Sequence, residues 1–133
     1  MLVVLDTNVL VSALLSPHGS PASVLNLALG GEIRLAFDDR ILAEYREVLL
    51  RPKFGFAPGD VGDLLAALEA DGEHVIPRSL NVRLPDKDDL PFLEVAAFVN
   101  APLVTGNTAH FPASARGGVD VYSPAAFVKM WKM

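Results

Sequence analysis

The chain alternates short runs of apolar residues with longer segments in which apolar residues recur every three or four positions. Short apolar runs are typical of buried strands, whereas the longer spacing is typical of helices that bury one face. The pattern predicts strands at residues 2–5, 33–37, 74–76, 103–105 and 119–122. It predicts helices at residues 21–29, about 40–50, about 61–70, 92–99 and from 123 or 124 onward.

Strands that alternate with helices predict an α/β fold in which helices cover both faces of a parallel sheet. In such sheets, ligand-binding and catalytic residues gather at the carboxyl ends of the strands. Asp6 stands at the carboxyl end of the first predicted strand. We therefore expect a functional site at this edge of the sheet.

The composition indicates one globular domain over residues 1–133, since 51% of the residues are hydrophobic and 20% are charged. The absence of cysteine excludes disulfides and thiolate metal ligands and fits a cytoplasmic protein. The apolar N-terminus lacks a basic leader and is interpreted as a core strand, not a signal peptide. No segment has the roughly 18 uncharged apolar residues of a membrane span. A net charge of −5 argues against a generally basic, DNA-coating protein.

The opening stretch MLVVLDTNVLVSALL ends its first apolar run in Asp6, with Thr7 and Asn8 directly behind it. One interpretation is that one of these three residues caps a following helix. Thr7 or Asn8 alone could cap this helix, so capping does not explain why an aspartate stands at position 6. Asp6 is therefore the first candidate for a functional carboxylate.

A second candidate acid lies in the segment RILAEYREVLLR. On a helical wheel of about 100° per residue, the apolar stripe of this helix centres on Tyr45. Glu44 lies at the edge of the stripe, where a carboxylate can reach a cleft beside the sheet, whereas Glu47 points toward water. The alternative is that Glu44 forms an ordinary ion pair with Arg40.

Three further acids, Asp86, Asp88 and Asp89, fall within four residues of the segment PDKDDLPFLEVAAF. Helix capping explains one of them, Asp88 or Asp89, and a solvated acidic loop is a second interpretation. Like charges this close repel unless they are well solvated or share a cation. Asp89 is the most firmly fixed because an apolar helix begins directly after it.

Another polar group follows the fourth predicted strand, in the segment LVTGNTAHF. This strand delivers Gly106 and Asn107 to the same edge of the sheet as Asp6, and Gly106 permits a tight departure from the strand. Asn107 is either a turn residue or a neutral oxygen ligand. His110 is interpreted as a local hydrogen-bonding or substrate-side group rather than a metal ligand.

These candidates together offer a set of oxygen ligands. All-oxygen ligands suit hard cations such as Mg²⁺ or Mn²⁺, and not zinc. A cation held by acids also reverses the local field, so an acidic protein can still take a polyanionic substrate. Because the segments are far apart in the chain, only the fold can bring them together.

The segments LDTNVLVSALL, ILAEYREVL, PDKDDLPFLEVA and LVTGNTAHF occur in the order found in PIN-domain proteins. The chain resembles the VapC-like toxin branch of that family over essentially its whole length. The resemblance implies a three-layer α/β/α sandwich with a central parallel β-sheet, Mg²⁺ or Mn²⁺ dependence and endoribonuclease activity. It also implies a cognate antitoxin and frequent homodimers.

The resemblance carries the metal-binding acids of the family onto Asp6, Glu44 and Asp89, with assistance from Asp86 and Asp88. Many relatives have an aspartate where this chain has Asn107. That departure implies weaker metal binding at a second position, or compensation by Asp86.

The expected reaction is metal-assisted hydrolysis of an RNA phosphodiester, with Asp6 and Asp89 holding the ion directly and Glu44 completing the site. Because water and not the ribose 2′-OH is the nucleophile, the products carry a 5′-phosphate and a 3′-hydroxyl. Basic side chains on and just past the Glu44 helix either guide RNA or are ordinary solvated groups; they are Arg40, Arg46, Arg51 and Lys53.

Two other functions fit the sequence less closely. A phosphatase with Asp6 as nucleophile needs a second aspartate two residues later, where this chain has Asn8. A catalytically weak or inactive PIN-like module that binds RNA or protein is the non-enzymatic alternative, and Asn107 in place of an aspartate is the feature that favours it.

Overall fold

The computed structural model describes residues 1–133 and contains a five-stranded sheet. The strands are β1 (Leu2–Leu5), β2 (Arg34–Phe37), β3 (Glu73–His74), β4 (Leu103–Val104) and β5 (Val121–Tyr122). Their order across the sheet is β3-β2-β1-β4-β5, and every neighbouring pair is parallel. The predicted parallel sheet is confirmed, with small differences at the strand ends.

Six α-helices connect and cover the strands. They are α1 (Thr7–Leu15), α2 (Ser20–Leu29), α3 (Asp39–Leu49), α4 (Pro58–Asp71), α5 (Leu90–Val99) and α6 (Pro124–Trp131). Five of them match the predicted helices, and α1 is the helix that follows Asp6. None of the six combines the length and the apolar character that a bilayer crossing requires.

The burial of the central strands shows why the protein has three layers. Val3, Val4 and Leu5 are consecutive in β1, and all three are fully buried. Because successive strand residues point to opposite faces, both faces of β1 must be covered by helices. Helix α5 packs on β1, β2 and β4. The predicted α/β/α sandwich is confirmed.

Strand β3 begins earlier and ends sooner than the sequence predicted. A Cβ at Gly72 would lie 2.3 Å from the Phe37 ring and 2.8 Å from the carbonyl oxygen of Leu35, so only glycine lets the chain pass this close to β2. His74 pairs with Phe37, and their rings stack with centroids 5.7 Å apart. The strand ends there, and Ile76, which was predicted to belong to it, is 90% exposed.

The strand order reverses at the centre of the sheet, between β1 and β4. The chain builds β1, β2 and β3 in one direction and then returns to the other side of β1 for β4 and β5. At such a reversal the connections leave in opposite directions and open a crevice at the carboxyl ends of the two strands. Asp6 follows β1 and Thr105 follows β4, so both lie at this crevice.

Candidate active site

Asp6 is buried at the carboxyl end of β1 and is only 5% exposed. The Thr105 hydroxyl donates a hydrogen bond of 2.8 Å to Asp6 Oδ2, and Asn8 Nδ2 donates a longer one of 3.3 Å to the same oxygen. Asp6 occupies the N-cap position of α1, but its side chain makes no capping hydrogen bond. Capping therefore does not explain this carboxylate.

The surroundings of Asp6 disfavour its charged form. Burial raises the pKa of Asp6 to about 6, and the nearby negative charge of Asp89 adds to the increase. The hydrogen bond from Thr105 lowers the pKa, but by less than burial raises it. No arginine or lysine forms an ion pair with Asp6. The site thus contains a buried acid that has no arginine or lysine partner, and perturbed acids of this kind are a mark of functional sites.

Glu44 lies on α3 beside the same crevice. The Thr7 hydroxyl donates a hydrogen bond to Glu44 Oε2. Partial burial raises the pKa of Glu44, and the negative charge of Asp6 raises it further. The alternative that Glu44 pairs with Arg40 is wrong, because Arg40 instead binds Asp38 and Glu94.

Tyr45 fixes the position of Glu44 relative to β1. Its side chain is fully buried, as the helical wheel predicted, and its hydroxyl donates a 2.6 Å hydrogen bond to the carbonyl oxygen of Leu5. Leu5 is the residue before Asp6, so this bond ties α3 to the strand end that carries the first acid. Burial, together with the charges of Asp6 and Glu44, raises the pKa of Tyr45 well above its usual value. The hydroxyl therefore stays a hydrogen-bond donor.

Asp89 ends the 3₁₀ turn Lys87–Asp89 and stands directly before α5. Its side chain is 13% exposed. Burial raises the pKa of Asp89 most, and the negative charge of Asp86 raises it further. Asp86 is the residue that caps the turn, since its Oδ1 accepts a 2.9 Å hydrogen bond from the amide of Asp88. Neither Asp88 nor Asp89 makes the side-chain cap that the sequence had suggested for one of them.

Asn8 and Thr105 join the ends of β1 and β4, a role that sequence reasoning did not give them. Asn8 Oδ1 accepts a 2.9 Å hydrogen bond from the amide of Gly106, and Thr105 Oγ1 donates to Asp6 and accepts a 3.0 Å hydrogen bond from the amide of Asn107. A Cβ at Gly106 would lie 3.2 Å from Asn8 Oδ1, so this closeness is the reason for glycine here. The polar residues directly after each strand were the only sequence signal for this bridge.

Asn107 turns its side chain toward His110. Its Nδ2 lies 2.9 Å from Nε2 of His110, and Nδ1 of the same imidazole lies 3.0 Å from Oδ2 of Asp89. Asn107 was predicted to be a turn residue or an oxygen ligand. Its amide nitrogen contacts the imidazole, the oxygen-ligand role stays a prediction, and His110 is the hydrogen-bonding group that the sequence predicted.

The acids from three segments lie close enough to raise one another's pKa, but they do not form a closed set of ligands. No three histidine, aspartate or glutamate side chains are close enough together, as they stand, to hold one metal ion. Glu44 accepts a hydrogen bond from Thr7, and Asp89 contacts His110, so each of these two acids already has a side-chain partner. The donor set itself, carboxylate oxygens without cysteine, fits Mg²⁺ or Mn²⁺.

The parallel sheet, the crevice at its strand reversal and the uncompensated acids together define an α/β/α protein with an acidic site. A family model described as "PIN domain" matches residues 2–109 of the chain. This protein belongs to the PIN-domain family, whose members are generally nucleases that use divalent metals.

Two known proteins are similar to this chain. One is the uncharacterized protein MJ1680 of Methanocaldococcus jannaschii, which is 32% identical over 108 residues, or 79% of this chain and 70% of that protein. The other is the crystal structure of VapBC2 from Rickettsia felis bound to a DNA fragment from their promoter. It shares 18% identity at a TM-score of 0.60 and covers 92% of this chain and 98% of its own matched chain, which is a likeness of fold.

Proposed function

We propose that this protein is a Mg²⁺- or Mn²⁺-dependent endoribonuclease, formed by a single PIN domain over residues 1–133, and the toxin of a toxin–antitoxin pair. The observation that carries this proposal is the buried carboxylate of Asp6, whose pKa is raised to about 6 and which has no ion-pair partner. A cation is the simplest group that would compensate it. Family membership supports a nuclease, and the acidic donor set supports a hard cation.

Asp6 and Asp89 would hold the ion directly, and Glu44 would complete the site, with Asp86 on the adjoining turn. When bound, the ion supplies Lewis acidity, which lowers the pKa of a water molecule and offsets charge on the phosphate. Thr105 and Asn8 keep the Asp6 carboxylate in place through their hydrogen bonds. Water is then the nucleophile, and cleavage leaves a 5′-phosphate and a 3′-hydroxyl.

The proposed partners follow from the same interpretation. RNA is the substrate, a cognate antitoxin is the regulatory partner, and a second copy of the chain forms a homodimer in the cytoplasm. The likeness to a chain of a VapBC complex supports the antitoxin. Of the basic side chains near Glu44, Arg40 and Arg51 are already bound to acids. That leaves Arg46 and Lys53 as the first candidates for contact with RNA.

An aspartyl-phosphate mechanism receives no support from the site. It requires an acid two residues after the nucleophile, and this position holds Asn8. The amide of Asn8 is used to join Asp6 to Gly106 across the strand ends.

The test is Asp6→Asn, measured for Mn²⁺ uptake by calorimetry and for cleavage of a panel of RNAs in Mg²⁺ or Mn²⁺. We expect a folded protein in which cleavage is lowered by more than about 100-fold, since even changes to residues that only hydrogen-bond to a metal ligand cost about 10- to 100-fold. The matched control is Asp63→Asn, at an exposed acid of α4, which should behave as wild type.

Three results would each have a clear meaning. Full cleavage by Asp6→Asn would overturn the proposal, as would cleavage by wild type that survives complete removal of divalent ions. RNA binding and Mn²⁺ uptake without cleavage of any RNA in the panel would instead favour the non-catalytic binding module.

A further inference from the structure

Three side chains at the crevice form a hydrogen-bonded row that links the loop after β4 to the start of α5. Asn107 Nδ2 lies 2.9 Å from Nε2 of His110, and His110 Nδ1 lies 3.0 Å from Oδ2 of Asp89. An amide NH₂ group can only donate hydrogen bonds, so Nε2 of His110 must accept one and carry no proton. The proton of the neutral imidazole is then on Nδ1, from which it is donated to Asp89.

We propose that Asn107 and His110 are positioning residues for Asp89: Asn107 fixes the Nδ1–H tautomer of His110, and His110 fixes the Asp89 carboxylate by one oxygen. The role in metal binding rests on the proposed function, in which Asp89 is a metal ligand. The row itself does not depend on it. Asn107 thus acts on Asp89 through His110, by way of its amide nitrogen.

The physical gain from this row is a carboxylate that is oriented before any ligand arrives. Asp89 sits in a turn ahead of α5 and makes no helix-capping bond that would hold its side chain. The contact with His110 holds Oδ2 and leaves Oδ1 without this partner. Hydrogen bonds that hold a ligating carboxylate in this way are worth about 10- to 100-fold in metal affinity.

The tautomer is tested on the metal-free, ¹⁵N-labelled protein by long-range ¹H–¹⁵N correlation spectra of the imidazoles at about pH 8, where free histidine is neutral. The signals of His110 are those lost in His110→Gln. We expect a protonated Nδ1 and a bare Nε2. In Asn107→Asp, the new carboxylate can only accept, so Nε2 should become protonated. A wild-type His110 protonated on Nε2, or an Asn107→Asp spectrum without change, would overturn the proposal.

The positioning role is tested by Mn²⁺ affinity in three variants. In His110→Asn, the amide nitrogen stands two bonds from Cβ, as Nδ1 does in histidine, so it retains a donor for Asp89. In His110→Gln, the nitrogen stands one bond further out. We expect His110→Gln to lose about 10- to 100-fold in affinity and His110→Asn to recover most of it. The control is His74→Gln, because the 2.8 Å contact of His74 with Asp39 lies outside the row.

These outcomes separate the two proposals. If wild type takes up no Mn²⁺, the proposed function fails, whereas the tautomer result still decides whether the row exists. If wild type binds Mn²⁺ and His110→Gln and His110→Asn lose affinity equally, then His110 does not act through its Nδ1 donor and the positioning role is refuted. Thermal unfolding of each variant shows that the affinities refer to folded protein.

Discussion

Three carboxylates of this protein are almost completely buried, Asp6, Asp38 and Glu94, and the surroundings of Asp6 and Glu94 differ in kind. Glu94 is 3% exposed and Asp6 is 5% exposed. Glu94 accepts a 2.8 Å hydrogen bond from Arg40 and one of 2.7 Å from the amide of Leu80. Asp6 accepts hydrogen bonds only from uncharged groups. Arg40 balances the charge of Glu94, whereas no arginine or lysine balances the charge of Asp6.

The neutralised acid has a structural task. Arg40 binds Glu94 on α5 and Asp38 at the N-cap of α3, while Leu80 belongs to the long segment between β3 and α5. Glu94 therefore fastens this segment to α5 shortly before the turn that carries Asp89. A buried acid alone therefore does not indicate a functional site, whereas a buried acid that has no positively charged side chain as a partner does.

The largest expected effect is the pH dependence that Asp6 imposes on the metal-free protein. Its pKa is about 6 in the folded state, against about 3.9 for an unfolded aspartate. As pH rises between these values, the unfolded state loses its proton first, so the free energy of unfolding falls. This loss is absent below about pH 4 and complete above about pH 7, and it amounts to about 3 kcal/mol.

Urea unfolding in a metal chelator at several pH values measures this effect, with Asp6→Asn as the reference. We expect Asp6→Asn to be the more stable protein at pH 7 and to match wild type near pH 4. Glu44 and Asp89 shift in the same direction and are present in both proteins, so the difference reports Asp6 together with the effect of its charge on Glu44. Equal stability at both pH values would show that Asp6 is not an uncompensated acid.

A smaller effect with the opposite sign is expected for Glu94→Gln. The glutamine cannot neutralise Arg40, which keeps only Asp38, and the charge-assisted bonds to Arg40 and Leu80 are weakened. Since Arg40 is half exposed, we expect a loss of about 2 kcal/mol in the free energy of unfolding at pH 7. Mn²⁺ uptake should not change, because Glu94 is not part of the candidate site.

The background Arg40→Met sharpens this comparison. Without Arg40, Glu94 becomes a buried acid that lacks a cation, as Asp6 is in wild type. Glu94→Gln should then cost little or even stabilise the protein, because it removes an uncompensated buried charge. The same loss in both backgrounds would contradict the view that Arg40 neutralises Glu94.

The sequence predicted most of the fold because its strands are continuous apolar runs. The run in β1 cannot be mistaken for a surface segment, and the position of Asp6 at its end follows directly. Glu44 was also placed correctly beside the apolar stripe, since helical periodicity reports which face of α3 is buried. These inferences need only the order of residues within one element.

The contacts that the sequence could not predict join elements that are distant in the chain. Glu94 lies in the apolar helix LPFLEVAAFV, and nothing in that segment shows that Arg40, 54 positions away, neutralises it. The orientation of Asn107 toward His110 likewise depends on how the loop after β4 meets α5. Strand β3 was misplaced because close packing at Gly72, not apolar periodicity, sets where it begins.

The smallest expected effect comes from the hydroxyl of Thr105, a neutral group that favours the charged form of Asp6. Thr105→Val keeps the shape of this fully buried side chain but removes the donor to Asp6 and the acceptor for the amide of Asn107. Because that hydrogen bond lowers the pKa of Asp6, its loss should raise the pKa above about 6. The destabilisation should be about 1 to 2 kcal/mol at pH 7 and smaller near pH 4, where Asp6 is protonated. Urea unfolding at the two pH values measures how the destabilisation by Thr105→Val depends on pH. This pH dependence should vanish when Thr105→Val is made in the Asp6→Asn protein. A loss of equal size at both pH values would mean that Thr105 supports the backbone of the loop and does nothing for the buried charge.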